Sequence, residues 1–142
     1  MSAEAVSPSP RHGTGVLLWL AWLFLVGLVT WALLSPVPPK VSAAVLPPEM
    51  TFSASKAVHL IVYAAMTVLA AYLPGPTGVR FWLWGFLALH AGATEYLQLF
   101  VEGRTGSVRD VVIDLIGLGL GVALVEWLRS RRREKPPTVP SA

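Results

Sequence analysis

Val16 to Leu34 is a run of nineteen positions without a charge or a proline. As a helix rising 1.5 Å per residue it would extend about 29 Å, roughly the thickness of a bilayer's hydrocarbon core. The prolines show that this run is one of several. All 12 fall in four places: Pro8 and Pro10, Pro36 to Pro48, Pro74 and Pro76, and Pro136 to Pro140. Proline ends or breaks a helix, so the intervals between these groups are where long helices can form. Four apolar stretches result, over 16–34, 56–73, 80–101 and 108–128. Each is close to the roughly 20 residues a spanning helix needs. Backbone in lipid must satisfy its own hydrogen bonds, which makes these stretches helices.

The expected fold is therefore all-α, an integral membrane bundle of four transmembrane helices over residues 16–128. Residues 1–15 and 129–142 are read as disordered tails, the second of them basic. Composition agrees: 54% of residues are hydrophobic and 13% charged, about half the charge of an average soluble domain. An ordinary soluble globule and a disordered chain are both excluded. With no cysteine there is no disulfide framework and no thiol chemistry. A cleaved signal peptide fits the first stretch poorly, because nineteen apolar residues exceed the usual core of about 7–15.

Lysine and arginine set the expected orientation. If both termini share one side, that side holds Arg11, Arg80, Arg129, Arg131, Arg132, Arg133 and Lys135, against Lys40, Lys56, Arg104 and Arg109 on the other. Seven against four places both termini in the cytoplasm of a bacterial cytoplasmic membrane. The net charge of +3 is then accounted for by topology and anionic lipid, with no nucleic-acid partner.

Charge inside a span costs roughly 2.5–3.5 kcal/mol on insertion scales, so each ionisable residue there needs a reason. Lys56, His59 and Tyr63 fall at i, i+3 and i+7, on one helical face. Glu95 and Gln98 are three apart near the end of the third stretch. Asp110 and Asp114 are four apart at the start of the fourth. In a four-span topology all of these, with Arg104, fall in a single extracytoplasmic layer. Plainer readings exist for some. Asp110 could simply cap its helix after Ser107, Lys56 could snorkel from a helix end, and Tyr63 could be an interface aromatic like Trp19, Trp31, Trp82, Trp84 and Trp127. His90, alone in mid-span, reads as packing or an interhelical hydrogen bond. Glu95 and Asp114 have no such alternative, and Lys56 and Arg104 are the cations available to pair with them. Gly117 and Gly121, with Gly85, Ala88, Gly92 and Gly119, offer small faces for close helix approach.

In order, Lys56-x-x-His59-x-x-x-Tyr63, Thr94-Glu95-x-x-Gln98, Gly103-Arg104-Thr105 and Asp110-x-x-x-Asp114-x-x-Gly117-x-x-x-Gly121 resemble the VanZ-like family. The resemblance covers about Lys56 to Gly121. It implies a small bundle of spanning helices and a link to low-level tolerance of teicoplanin-type glycopeptides. The chain departs from the family pattern at Ser55, where an aspartate is usual, at Leu60, where phenylalanine is usual, and at Asp114, where asparagine is usual.

The residues alone leave four readings. First is binding: Lys56, His59 and Arg104 would grip the phosphate or carboxylate of a lipid-linked cell-wall precursor or other anionic envelope headgroup, with Glu95, Gln98 and Asp110 orienting them. Second is a structural ion network that fixes helix register. Third is an intramembrane enzyme acting on a lipid-linked phosphate or glycan, with His59 as base or nucleophile. Proton or ion passage along His59, Glu95 and Asp114 comes last, because the polar set stops in one half of the membrane. No nucleophile elbow, phosphate loop or paired-histidine motif is present, so the chain is read as a binder, with no cofactor or metal expected.

Overall fold

The computed structural model describes residues 11–36, 48–76 and 78–133. Four helices account for nearly all of them: α1 (Arg11–Leu34), α2 (Pro48–Ala71), α3 (Val79–Gln98) and α4 (Val108–Arg133). No strand occurs among the described residues. Three helical segments are long and apolar enough to cross a membrane: Gly13–Leu34, Ser53–Ala71 and Val108–Arg133. The 20-residue α3 is not among them. It carries Arg80, His90, Glu95 and Gln98 among its apolar residues, and these dilute its hydropathy.

Several boundaries differ from the sequence reading. Helix α2 begins at Pro48, two turns before Lys56, where a proline break was expected. A first-turn residue has no intrahelical acceptor for its N–H, so proline opens a helix there as readily as it breaks one further in. The segment at 40–47 lies outside the described residues. Helix α3 stops at Gln98 instead of continuing to Val101, and Gly103 takes φ +74° in the turn that follows. Helix α1 already begins at Arg11. Helix α4 continues through Arg131, Arg132 and Arg133, a placement that suits cations at a helix C-terminus. Residues 1–10 and 134–142, the remainder of the expected tails, lie outside the described residues.

The contacts give an up-down-up-down bundle. At one end the Trp19 Nε1–H donates to the Pro74 carbonyl (3.1 Å), and the Arg129 guanidinium donates to the Ala71 carbonyl at the end of α2 (3.1 Å). Arg129 and Arg80 flank Glu126 there, at 3.3 and 4.0 Å. At the other end Arg104, in the α3–α4 loop, reaches the last turn of α1. Helices α2 and α4 therefore run parallel, and they form the tightest pair. A Cβ on Gly117 would collide with the Leu60 carbonyl oxygen, and one on Gly121 would come within 2.8 Å of the Ala64 oxygen and the Thr67 side chain. Without side chains at those two points the backbones close up. Gly85, Gly92 and Gly119 face open space instead.

The buried faces follow helical spacing: Trp84, Leu87, Ala91, Thr94/Glu95 and Gln98 on α3, and Asp110, Asp114, Gly117, Gly121 and Val125 on α4. Tyr63, Met66 and Ala70 of α2, with Trp22 of α1, complete the core. Trp84 is part of this core, not of an interface belt. It is buried and its indole N–H donates to the Thr67 carbonyl (3.2 Å), while Trp22 donates to the Met66 carbonyl (3.1 Å). A buried indole needs an acceptor, and an α2 carbonyl supplies one in each case. Phe24, Trp31, Trp82, Leu89 and Val108 point outward, as apolar side chains facing lipid do.

Candidate functional site

Two rungs link α2 to α4. Lys56 Nζ donates to both carboxylate oxygens of Asp110, at 2.5 and 2.6 Å. One turn further in, His59 Nδ1 lies 3.0 Å from Asp114 Oδ1. The rungs exist because the helices are parallel and in register: a residue at i and i+3 on α2 meets one at i and i+4 on α4, directly before the Gly117 contact. The depths differ. The Lys56 and Asp110 side chains are 21% and 12% exposed, whereas Asp114 is fully buried. Asp110 does sit in the first turn of α4, but its carboxylate faces Lys56.

Helix α3 brings the third carboxylate. Glu95, 3% exposed, accepts the Ser107 backbone N–H on Oε2 (2.8 Å) and the Gln98 amide on Oε1 (3.3 Å). The loop after α3 can fold back this tightly because Gly106 lies against the Glu95 carbonyl, where any side chain would collide. Donor atoms of His59, Glu95 and Asp114 all fall within 4.8 Å of one another. Asp114 Oδ2 is buried and has no hydrogen-bond partner among the described residues.

Two of the sequence-derived residues go elsewhere. Arg104 was expected to pair with Glu95 or Asp114. Its Nε instead donates to the Ser35 carbonyl (2.9 Å) and its Nη2 to the Ala32 carbonyl (2.5 Å). The last carbonyls of a helix have no internal partner, and a guanidinium satisfies them well. Glu95 takes its hydrogen bonds from a loop N–H and an amide, so neither group depends on the other.

Tyr63 shares a helix face with Lys56 and His59 but turns toward α3, where its hydroxyl meets His90 Nδ1 at 2.9 Å. His90 Nε2 lies 2.8 Å from Thr30 Oγ1, whose single proton is directed to the Val26 carbonyl (2.8 Å). The direction at Nε2 follows from that proton: Nε2–H donates to Thr30. The imidazole thus joins α1, α2 and α3 in mid-bundle. Of the two sequence readings of His90, packing or an interhelical hydrogen bond, the structure shows the second, with Thr30 and Tyr63 as partners that the sequence does not single out for it. The signal was available, since a polar residue in mid-span needs a partner at its own depth.

Between α1 and α2 lies an apolar cavity of about 110 Å³. Val29, Ala32 and Leu33 of α1 line it on one side, and Val58, His59, Val62 and Tyr63 of α2 on the other. The polar layer therefore borders a slot of hydrocarbon character. Chemically the site offers a lysine–aspartate pair near the surface, an imidazole–carboxylate pair beneath it, and a second carboxylate held by the α3–α4 loop.

The family model described as VanZ/LLP1 matches residues 15–129, most of the chain. The chain belongs to the VanZ/LLP1 family. The match takes in α2 and α3 whole, most of α1 and α4 and every residue of the polar layer, and with three helices of crossing length it makes this a multi-pass membrane protein. No curated protein and no solved structure matches this VanZ/LLP1 member.

Proposed function

We propose that this VanZ/LLP1 protein resides in the bacterial cytoplasmic membrane with four spans and both termini cytoplasmic, and that its polar layer holds the headgroup of an envelope lipid at the extracytoplasmic face. One observation carries the reading: His59 and Tyr63 help to line the apolar slot between α1 and α2, one turn from the partly exposed Lys56–Asp110 pair. A polar headgroup attached to a hydrocarbon chain has that same juxtaposition of chemistries. A lipid-linked cell-wall precursor is the proposed ligand, and altered exposure of it would change glycopeptide susceptibility. Lys56 is already engaged by Asp110, so an anionic headgroup would bind by exchanging with that carboxylate.

The same pairing supports a second reading, a structural network that fixes the α2–α4 register. The double variant Lys56→Gln/Asp110→Asn separates the two, because it keeps a hydrogen-bonding pair and removes both charges. In nanodiscs, native mass spectrometry should show wild-type protein retaining a lipid-linked precursor over bulk phospholipid. The double variant should fold normally and bind at least about tenfold more weakly, a loss of roughly 1.4 kcal/mol. Equal retention by both proteins would reject the headgroup reading and leave the structural one.

A further inference from the structure

The interior of the polar layer holds a set of donors that a headgroup at Lys56 does not use. His59 of α2, Glu95 of α3 and Asp114 of α4 bring one imidazole and two carboxylates together, with donor atoms within 4.8 Å of one another. Both carboxylates are buried. Lys56 is committed to Asp110 and Arg104 to the α1 carbonyls. Two acids thus share one imidazole in a layer where uncompensated charge is costly. The second and independent sign is Asp114 Oδ2, an oxygen of a fully buried side chain with no partner among the described residues. Buried polar atoms in folded proteins rarely stay unsatisfied, and a bound ion is one of the few things that explains such an atom.

We propose that His59, Glu95 and Asp114 form a binding site for a divalent first-row transition-metal ion. The spacing suits this. Two ligands each about 2.1 Å from one ion lie roughly 3.0–4.2 Å apart, and the three donor atoms fall within 4.8 Å of one another. The Ser107 N–H and the Gln98 amide orient the Glu95 carboxylate, as outer hydrogen bonds do for metal-bound carboxylates. A carboxylate oxygen that accepts one such bond keeps a lone pair for a metal. The mixed nitrogen and oxygen donors favour Zn²⁺, Mn²⁺, Fe²⁺ or Co²⁺ over Mg²⁺ or Ca²⁺, which prefer oxygen alone. Three protein ligands leave coordination positions for water or an added ligand. The inference uses interior donors and stands whether or not a lipid binds.

Zn²⁺ titration of the full-length detergent-solubilised protein after chelator treatment tests the site. Wild-type protein and a Glu126→Gln control should each take up one ion per chain and gain thermal stability. His59→Asn, Glu95→Gln and Asp114→Asn should each lose more affinity than the roughly 10–100-fold that loss of an outer partner costs. Absence of saturable binding to wild type, or undiminished binding in all three variants, overturns the proposal. Cu²⁺ electron paramagnetic resonance on otherwise native protein keeps the test decisive if a variant fails to fold. Nitrogen hyperfine splitting that persists in His12→Asn supports an imidazole ligand in the bundle, and a spectrum without nitrogen splitting overturns it.

Discussion

Gly117 of α4 rests on the carbonyl oxygen of Leu60 in α2, one residue beyond His59. Because a side chain at Gly117 would push that oxygen away, the glycine and the His59–Asp114 pair are parts of one arrangement. The close approach of two parallel backbones brings an imidazole and a carboxylate to 3.0 Å. Separation of the helices by even one methyl group would lengthen that hydrogen bond and the Lys56–Asp110 pair above it.

Substitutions at the glycines should divide accordingly. Gly121→Leu meets the Ala64 oxygen and Thr67 and should destabilise the detergent-solubilised protein by about 1–3 kcal/mol or more, as overpacking does. Gly119→Leu, where nothing stands within 4 Å, should leave the melting temperature near wild type. Thermal unfolding of the two variants side by side is the check, and equal melting temperatures would contradict the described packing.

Arg104 and Glu95 should behave independently. Arg104→Gln removes the donor to the Ser35 and Ala32 carbonyls and should loosen the end of α1, at a cost of about 1–3 kcal/mol for the acceptors left behind. Glu95→Gln acts on the α3–α4 loop through Ser107. In a double-mutant cycle on unfolding free energy the two effects should add to within about 0.5 kcal/mol. A larger coupling would mean that the two side chains interact directly.

The Tyr63–His90–Thr30 chain makes a graded prediction. Tyr63→Phe keeps the ring in the core and removes one hydrogen bond, for a loss of about 0.5–1.5 kcal/mol. His90→Leu removes both bonds that His90 makes, one to α1 and one to α2, and should cost more. Chemical denaturation in mixed micelles would order the variants, and Tyr63→Phe losing more than His90→Leu would contradict the chain.

The proposed topology is testable in intact cells. Single cysteines replacing Ser2, Thr77 and Ser141 should resist an impermeant thiol reagent, and one replacing Ser42 should react. Labelling at position 141 would reverse the orientation and with it the side on which the polar layer faces.

The helical faces were legible in the sequence, but the pairing between them was not. Spacing put Lys56, His59 and Tyr63 on one side of a helix, and the structure splits that side, with the first two meeting α4 and Tyr63 meeting α3. A face spans an arc wide enough to touch two neighbours, and only the packing decides which. Arg104 looked like a partner for the buried acids because charge is visible in sequence, while the open carbonyls at the end of α1 are not. Pro48 was read as a break since its effect depends on position within the helix, which the residue alone does not disclose. Trp84 was placed at an interface by composition, and its burial follows from the acceptor that Thr67 provides.

The Lys56–Asp110 and His59–Asp114 pairs have a consequence for biogenesis. Their partners are separated by 54 and 55 residues of chain. At the roughly 5–20 residues per second of protein synthesis, Lys56 is made about 3–11 seconds before the aspartate that neutralises it. During that interval α2 carries a cation and an imidazole without their acidic partners, and α4 supplies the acids only when it emerges. In the proposed topology, retention of α2 beside the insertion machinery until α4 arrives would keep both groups close to their partners. Release of the first three helices into lipid ahead of the fourth would leave Lys56 and His59 without those partners. The α2–α4 rungs are thus completed by the last helix of the chain and not by an earlier one.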